Sequence, residues 1–223
     1  MTGLIIKDLF AMKSYLKSLC FIVVFYIIIG LFLGDINFYN SMIMFMSTFS
    51  VLTLFSYDKY YKWNIYSVSL PLKRKNIVLA KYISSYCIIT VAFLLCTVID
   101  MLNVFIVYSE VPFNIAILID LMYYILCSLY IGLIIPLIYK FDVEKGRIIM
   151  TGLFIIPFLI IMYISSKDES RQVFEGVFKY ITEMVNTNIS IISIVVILAF
   201  IFLIIENIIS YIISCFIFNK KEF

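Results

Sequence analysis

The chain has 223 residues, 64% of them apolar and 14% charged, with a mean hydropathy of +1.11. It is far more apolar than a soluble domain, so its solvent is lipid, and the length admits about six crossings of about 20 residues with short connections and no further soluble catalytic domain. Histidine is absent, which excludes HExxH zinc sites, Ser-His and Cys-His nucleophile pairs and imidazole relays, and the net charge of +3 matters only through its placement.

From the N-terminus, Leu4, Ile5, Leu9, Met12 and Leu16 fall near helical spacing, with Lys7, Asp8, Lys13 and Lys17 elsewhere. This predicts an amphipathic interfacial helix over residues 1–17. It is too charged for the apolar part of a signal peptide, so the N-terminus is expected to be mature protein. A first span follows over about residues 19–33 and ends on Gly30-Leu31-Phe32-Leu33-Gly34, a GxxxG string suited to close helix approach. Asp35, Asn37 and Asn40 mark a turn before a second span over about 41–56. Residues 57–81 form a basic loop. A third span is predicted over about 82–108, a fourth over 113–139 with Pro136 late in it, and a charged hinge from Phe141 to Arg147. The fifth span covers about 148–164 with Pro157 inside. Between Ser165 and Asn188, the spacing of Val173, Phe174, Val177, Phe178, Ile181, Met184 and Val185 predicts a short amphipathic helix before the last span, about 189–218.

The expected fold is therefore an all-α membrane protein, a single transmembrane domain over residues 1–223 with six spans. Basic residues near spans stay on the inner side. With the N-terminus inside, Lys7, Lys13, Lys17, Lys59, Lys62, Lys73, Arg74, Lys75, Lys81, Lys140, Lys145, Arg147, Lys220 and Lys221 are inner, and only Lys167, Arg171 and Lys179 are outer. Both termini are thus expected in the cytoplasm of a bacterial cell. The five cysteines lie in apolar stretches without a CxxC pair and read as packing residues; no metal site is expected.

The loop 57–81 holds more than a topology signal requires. It combines Asp58, Tyr60, Tyr61, Trp63 and Tyr66 with Ser69-Leu70-Pro71-Leu72 and Lys73-Arg74-Lys75. Ser69 and Pro71 are suited to start a helix at Leu72 that runs to Tyr82 along the membrane surface. Three acids sit inside apolar runs, where they are costly: Asp100, Asp120 and Glu206. Each is either a polar contact between helices or part of an acidic lining that attracts a cationic amphipathic substrate.

Asp58, Trp63, Ser69-Leu70-Pro71-Leu72, Arg74-Lys75, Ile77-Val78 and Lys81-Tyr82, placed between the second and third spans, resemble the corresponding loop of the short bacterial ABC type-2 permeases. The layout of an entry helix, six spans and an outer helical segment is similar too. Within that family the chain looks like the small permeases that export cytolytic or antimicrobial peptides such as phenol-soluble modulins. The resemblance implies that two six-span subunits pair, as a homodimer or with a related permease, and that the loop docks on an ATP-hydrolysing subunit. Asp58, Trp63, Ser69, Pro71, Lys73, Arg74 and Lys75 would carry that coupling, and Asp100, Asp120 and Glu206 the substrate path. The chain has no GxxxxGK[ST] phosphate loop, so it is expected not to be an enzyme and to need no cofactor, with ATP and magnesium on the partner. The expected partners are that ATPase, a second permease, lipid and an amphipathic peptide, and not nucleic acid. Two other classes remain as alternatives: an intramembrane enzyme using Asp100 and Asp120, whose surroundings lack the usual aspartyl-protease motifs, and a non-catalytic protein such as a bacteriocin-immunity factor.

Overall fold

A computed structural model of the chain describes residues 2–33, 36–106, 113–165 and 189–221. The outer helix predicted between Ser165 and Asn188, with Lys167, Arg171 and Lys179, lies outside these residues, as do Gly34 of the GxxxG string and the Asp35 part of the turn.

Among the described residues the protein is all helical, as lipid demands of a chain whose backbone polar groups must be satisfied internally. The helices are α1 (Thr2–Ala11), α2 (Lys13–Leu33), α3 (Ile36–Tyr60), α4 (Trp63–Ser69), α5 (Arg74–Ile106), α6 (Phe113–Ser165) and α7 (Ile189–Lys220). Segments Arg74–Val104, Ile115–Pro157 and Val196–Lys220 are long and apolar enough to cross a membrane. A fourth crossing is added if α1 and α2, bent by 58° where they meet, count as one. At that bend Met12 is fully buried in the main apolar cluster and pins the corner to the bundle.

Helix α3 is also long enough, about 38 Å for its 25 residues at 1.5 Å each, but it is rich in Asn, Ser and Thr. Its polarity follows from its place. It packs against α1, α2, α4, α5 and α6, and Asn40, Ser47, Thr48 and Ser50 are buried. The hydroxyls of Ser47, Thr48, Thr53 and Ser56 donate to their own helix, to the carbonyls of Met44, Phe45, Phe49 and Leu52. They are thereby compatible with an apolar surround.

The charged hinge expected over Phe141–Arg147 is instead a reversal at a single residue. Asp142 has φ 74° and ψ 166°, and helix continues on both sides of it. A straight helix would separate Tyr130 from Leu153 by about 35 Å. Yet the Tyr130 hydroxyl donates to the Leu153 carbonyl at 2.8 Å, and its ring stacks on Phe154 with centroids 4.0 Å apart. Residues 113–141 and 143–165 are therefore two legs lying side by side. Gly146 permits the close approach, because a Cβ there would sit 2.8 Å from the Ile138 side chain. Pro136 and Pro157 lie within the legs and end neither.

The loop expected between the second and third spans is also more ordered than anticipated. Helix α3 runs on to Tyr60, Lys62 takes the left-handed conformation at φ 51°, and α4 follows. Leu70, extended at φ −81° and ψ 151° as residues before proline tend to be, stops α4. The surface helix predicted from Leu72 to Tyr82 does not exist as a separate element: α5 starts at Arg74 and runs unbroken to Ile106.

Candidate functional site

Polar contacts gather at one end of the bundle and bring both ends of the described chain there. Arg74, at the start of α5, donates to the carbonyls of Phe218 and Asn219 in the last turn of α7 and of Lys221 just beyond it, at 3.3, 2.9 and 3.4 Å. These are the carbonyls that a helix terminus leaves without partners. Lys221 in turn donates to the Tyr139 carbonyl at 3.0 Å, and Lys59 of α3 bridges Asp142 and Glu144 at the α6 reversal, at 3.0 and 2.9 Å.

Behind this rim lies a buried network of four charges. Lys81 of α5 pairs with Asp8 of α1 at 2.8 Å and Asp58 of α3 at 2.6 Å. Lys7 pairs with the same two carboxylates at 2.7 and 2.9 Å, and Ser84 donates to Asp8 at 3.2 Å. Two cations and two anions balance, which is what allows Asp8, Asp58 and Lys81 to be almost wholly buried. The Lys7 ammonium also sits 4.0 Å from the centre of the Trp63 ring. That cation–π contact ties α4 to α1 and, through the carboxylates, to α3 and α5.

Of the coupling residues read from the sequence, Ser69, Pro71, Lys73 and Lys75 are exposed, as are Tyr60, Tyr61, Lys62, Ile65 and Tyr66. The segment 60–75, which contains α4, is thus rich in exposed aromatic and basic residues. Asp58, Trp63 and Arg74 face the other way: Asp58 is inside the ion network, Trp63 is half-buried against Lys7, and Arg74 is committed to α7.

The intramembrane acids separate into two places. Asp100 of α5 and Asp120 of α6 are buried together, each accepting a hydrogen bond from the Asn40 amide of α3, at 2.8 and 3.0 Å. Of the two sequence-based alternatives, this geometry matches a polar contact between helices. Glu206 lies on α7, about 21 Å from the C-terminal end of that helix. Its carboxylate rests on Gly132 of α6, where any Cβ would overlap it. Pro136 lacks the N–H that would bond the Gly132 carbonyl, and Ser210 donates to that carbonyl in its place. Tyr82 joins Ser210 and Ser214 at 2.6 and 2.9 Å, and Tyr86 donates to Asn207, so a polar seam runs along α5, α6 and α7.

A family model described as ABC-2 family transporter protein matches residues 3–219. The chain belongs to the ABC-2 transporter family. No curated protein and no solved structure matches it. Membership makes it the multi-pass permease subunit of an ABC transporter and implies an ATPase partner subunit. Sequence reading of this permease missed Lys7, Asp8, Lys81, Ser84 and Asn40 as site residues. Asp8 carried the one available signal: an acid between lysines in the entry helix has no role in retaining a segment inside.

Proposed function

We propose that the permease is the membrane half of an exporter, crossing the bilayer six times with both termini and α4 in the cytoplasm. The crossings are α2, α3, α5, the two legs of α6, and α7. The fold-back at Asp142 supports counting α6 twice, and the buried polar face of α3 accounts for a crossing of low hydropathy. The rim of contacts that joins α1, α4, the α6 reversal and the end of α7 supports placing all of them on one side. Fourteen of the chain's 17 basic residues fall on that side in the topology read from the sequence.

The observation that carries the reading is the set of exposed aromatic and basic residues in and around α4, Tyr60, Tyr61, Lys62, Ile65, Tyr66, Lys73 and Lys75, with α4 tied to α1 by the Trp63–Lys7 contact. It is the surface on which an ATPase subunit would dock, and movement imposed on α4 would reach α1, α3 and α5 through the buried charges. The permease itself does no chemistry; ATP and magnesium belong to the partner. A second copy completes the membrane domain. The cargo is an amphipathic or apolar molecule of the cytolytic or antimicrobial peptide type, taken from the cytoplasm or the inner leaflet.

The test is co-expression with its ATPase partner subunit. Lys73→Glu with Lys75→Glu, and separately Tyr66→Ala, should abolish co-purification of the ATPase while leaving the permease folded. Trp63→Ala should keep the complex but lower substrate-stimulated ATP hydrolysis. If the charge-reversed variant retained the ATPase and its stimulation, the docking surface would lie elsewhere.

A further inference from the structure

We propose that the groove between α6 and α7 at Glu206 is a binding site for a lipophilic primary amine, a single alkyl chain with an ammonium head that enters sideways from the bilayer. The inference extends the exporter reading by giving part of its substrate a positive charge. It rests on an ionisable group in the wrong company. A carboxyl deep in a span is costly unless paired. Among the described residues no ion pair reaches Glu206, and its Oε2 is buried without a hydrogen-bond partner. In the seam beside it Ser210 donates to the Gly132 carbonyl and Asn207 to the Leu203 carbonyl, not to Glu206.

Beside the carboxylate lies a cavity of about 250 Å³, lined by Leu133, Pro136, Phe202, Ile205, Ile209 and Ile213 as well as by Gly132 and Ser210. Drug-sized ligands need about 300–1,000 Å³, so this space suits one chain and not a ring system. Its walls are almost wholly apolar, and its single charge is the acid. Charge complementarity therefore selects an ammonium for the head, and the walls select an aliphatic stem. Phe202, Ile205, Ile209 and Ile213 are all exposed on α7, so the groove is open at the apolar surface of the bundle, where an alkyl chain can enter without an aqueous path. Gly132 is the feature that makes room: a side chain there would expel the carboxylate from its seat.

The test uses the full-length permease alone in nanodiscs, without ATPase, so that it stands apart from the docking experiment. The probe is dodecylamine carrying a photoreactive diazirine, with the matching dodecanol as its neutral control, and crosslinks are mapped by mass spectrometry. The amine should label α6 and α7 around Leu133 and Ile209. Labelling should fall by at least about tenfold in Glu206→Gln, the loss expected for one charged hydrogen bond, and similarly in Gly132→Ala. If Glu206→Gln fails to fold, the comparison of amine with alcohol on the native permease decides alone. Equal labelling by the alcohol, or undiminished labelling of a folded Glu206→Gln, would overturn the site and leave the ATPase-docking reading untouched. Loss of ATPase docking with specific amine labelling intact would do the reverse.

Discussion

The buried network of Lys7, Asp8, Asp58 and Lys81 makes the most demanding prediction. Lys81→Met keeps the length of the side chain and removes its charge, leaving Lys7 alone against two carboxylates. The side chains of Lys81, Asp8 and Asp58 are 3%, 2% and 5% exposed, so solvent cannot take over the pairing. Removing one partner of a buried pair costs about 3–5 kcal/mol. In a chain of this size each kcal/mol moves the midpoint by about 2–4 °C, which gives a fall of about 6–20 °C. Adding Asp58→Asn restores neutrality around a Lys7–Asp8 pair and should recover most of that loss. The coupling energy of the double-mutant cycle should be about 2 kcal/mol or more. Unfolding can be followed with a thiol-reactive dye, because Cys96, Cys127 and Cys215 are buried while Cys20 and Cys87 supply the constant background. A Lys81→Met midpoint within about 1 °C of the native protein, or a double variant less stable than the single, would falsify the claim that these charges satisfy one another.

Three further outcomes follow from individual contacts. Asn40→Ala removes the common donor of Asp100 and Asp120 and should cost about 3 kcal/mol. Asp100→Asn added to it returns a donor and should recover part of the loss; an Asn40→Ala protein with a native midpoint contradicts the geometry. The Lys59 ammonium is held above the ordinary lysine value of 10.5, first by its hydrogen bond to Glu144 and then by that to Asp142. A group raised on folding contributes fully below its unfolded value and loses that contribution as pH climbs through the folded one. The stability gap between native protein and Lys59→Met should therefore be flat from about pH 7 to 9 and close only above 10.5; a gap that closes in the flat range contradicts the assignment. At the α6 reversal, Asp142→Gly and Asp142→Ala both lose the carboxylate that accepts from Val143 and pairs with Lys59. Only glycine relaxes a backbone at φ 74° and ψ 166°, so the glycine variant should be the more stable by about 1–3 kcal/mol. Equal stability would mean that the reversal carries no strain.

The parts of this fold legible in the sequence are those that depend on lipid. The runs that became α5, α7 and the two legs of α6 are long and apolar, and a single sequence carries that information in full. The reversal was placed within Phe141–Arg147, but its sharpness was not visible: nothing local to Asp142 announces a left-handed residue, and the Tyr130–Leu153 contact that reveals it joins positions 23 residues apart. Helix α4 was hidden for a related reason. Seven residues are too few to form a helix on propensity alone. It is stabilised from outside, by the Trp63 ring against a lysine 56 positions earlier.

Charge is an ambiguous signal in a membrane protein, because the same residue type serves two purposes. Lys81 and Lys73 are eight residues apart in one basic stretch and count alike toward orientation. The first is buried between Asp8 and Asp58; the second is exposed. Which lysine meets water is decided by carboxylates that lie 73 and 23 residues before Lys81 in the chain. The same holds for the acids. Asp100 and Asp120 each keep one buried oxygen without a partner, as Glu206 does, but both also accept from Asn40, which the sequence presents as a turn residue, whereas Glu206 meets a glycine and an apolar groove. An intramembrane carboxyl that finds a partner in its own chain serves to join helices. One with no donor from its own chain is free to meet a ligand, and the shared Asn40 amide is what separates the two aspartates from Glu206.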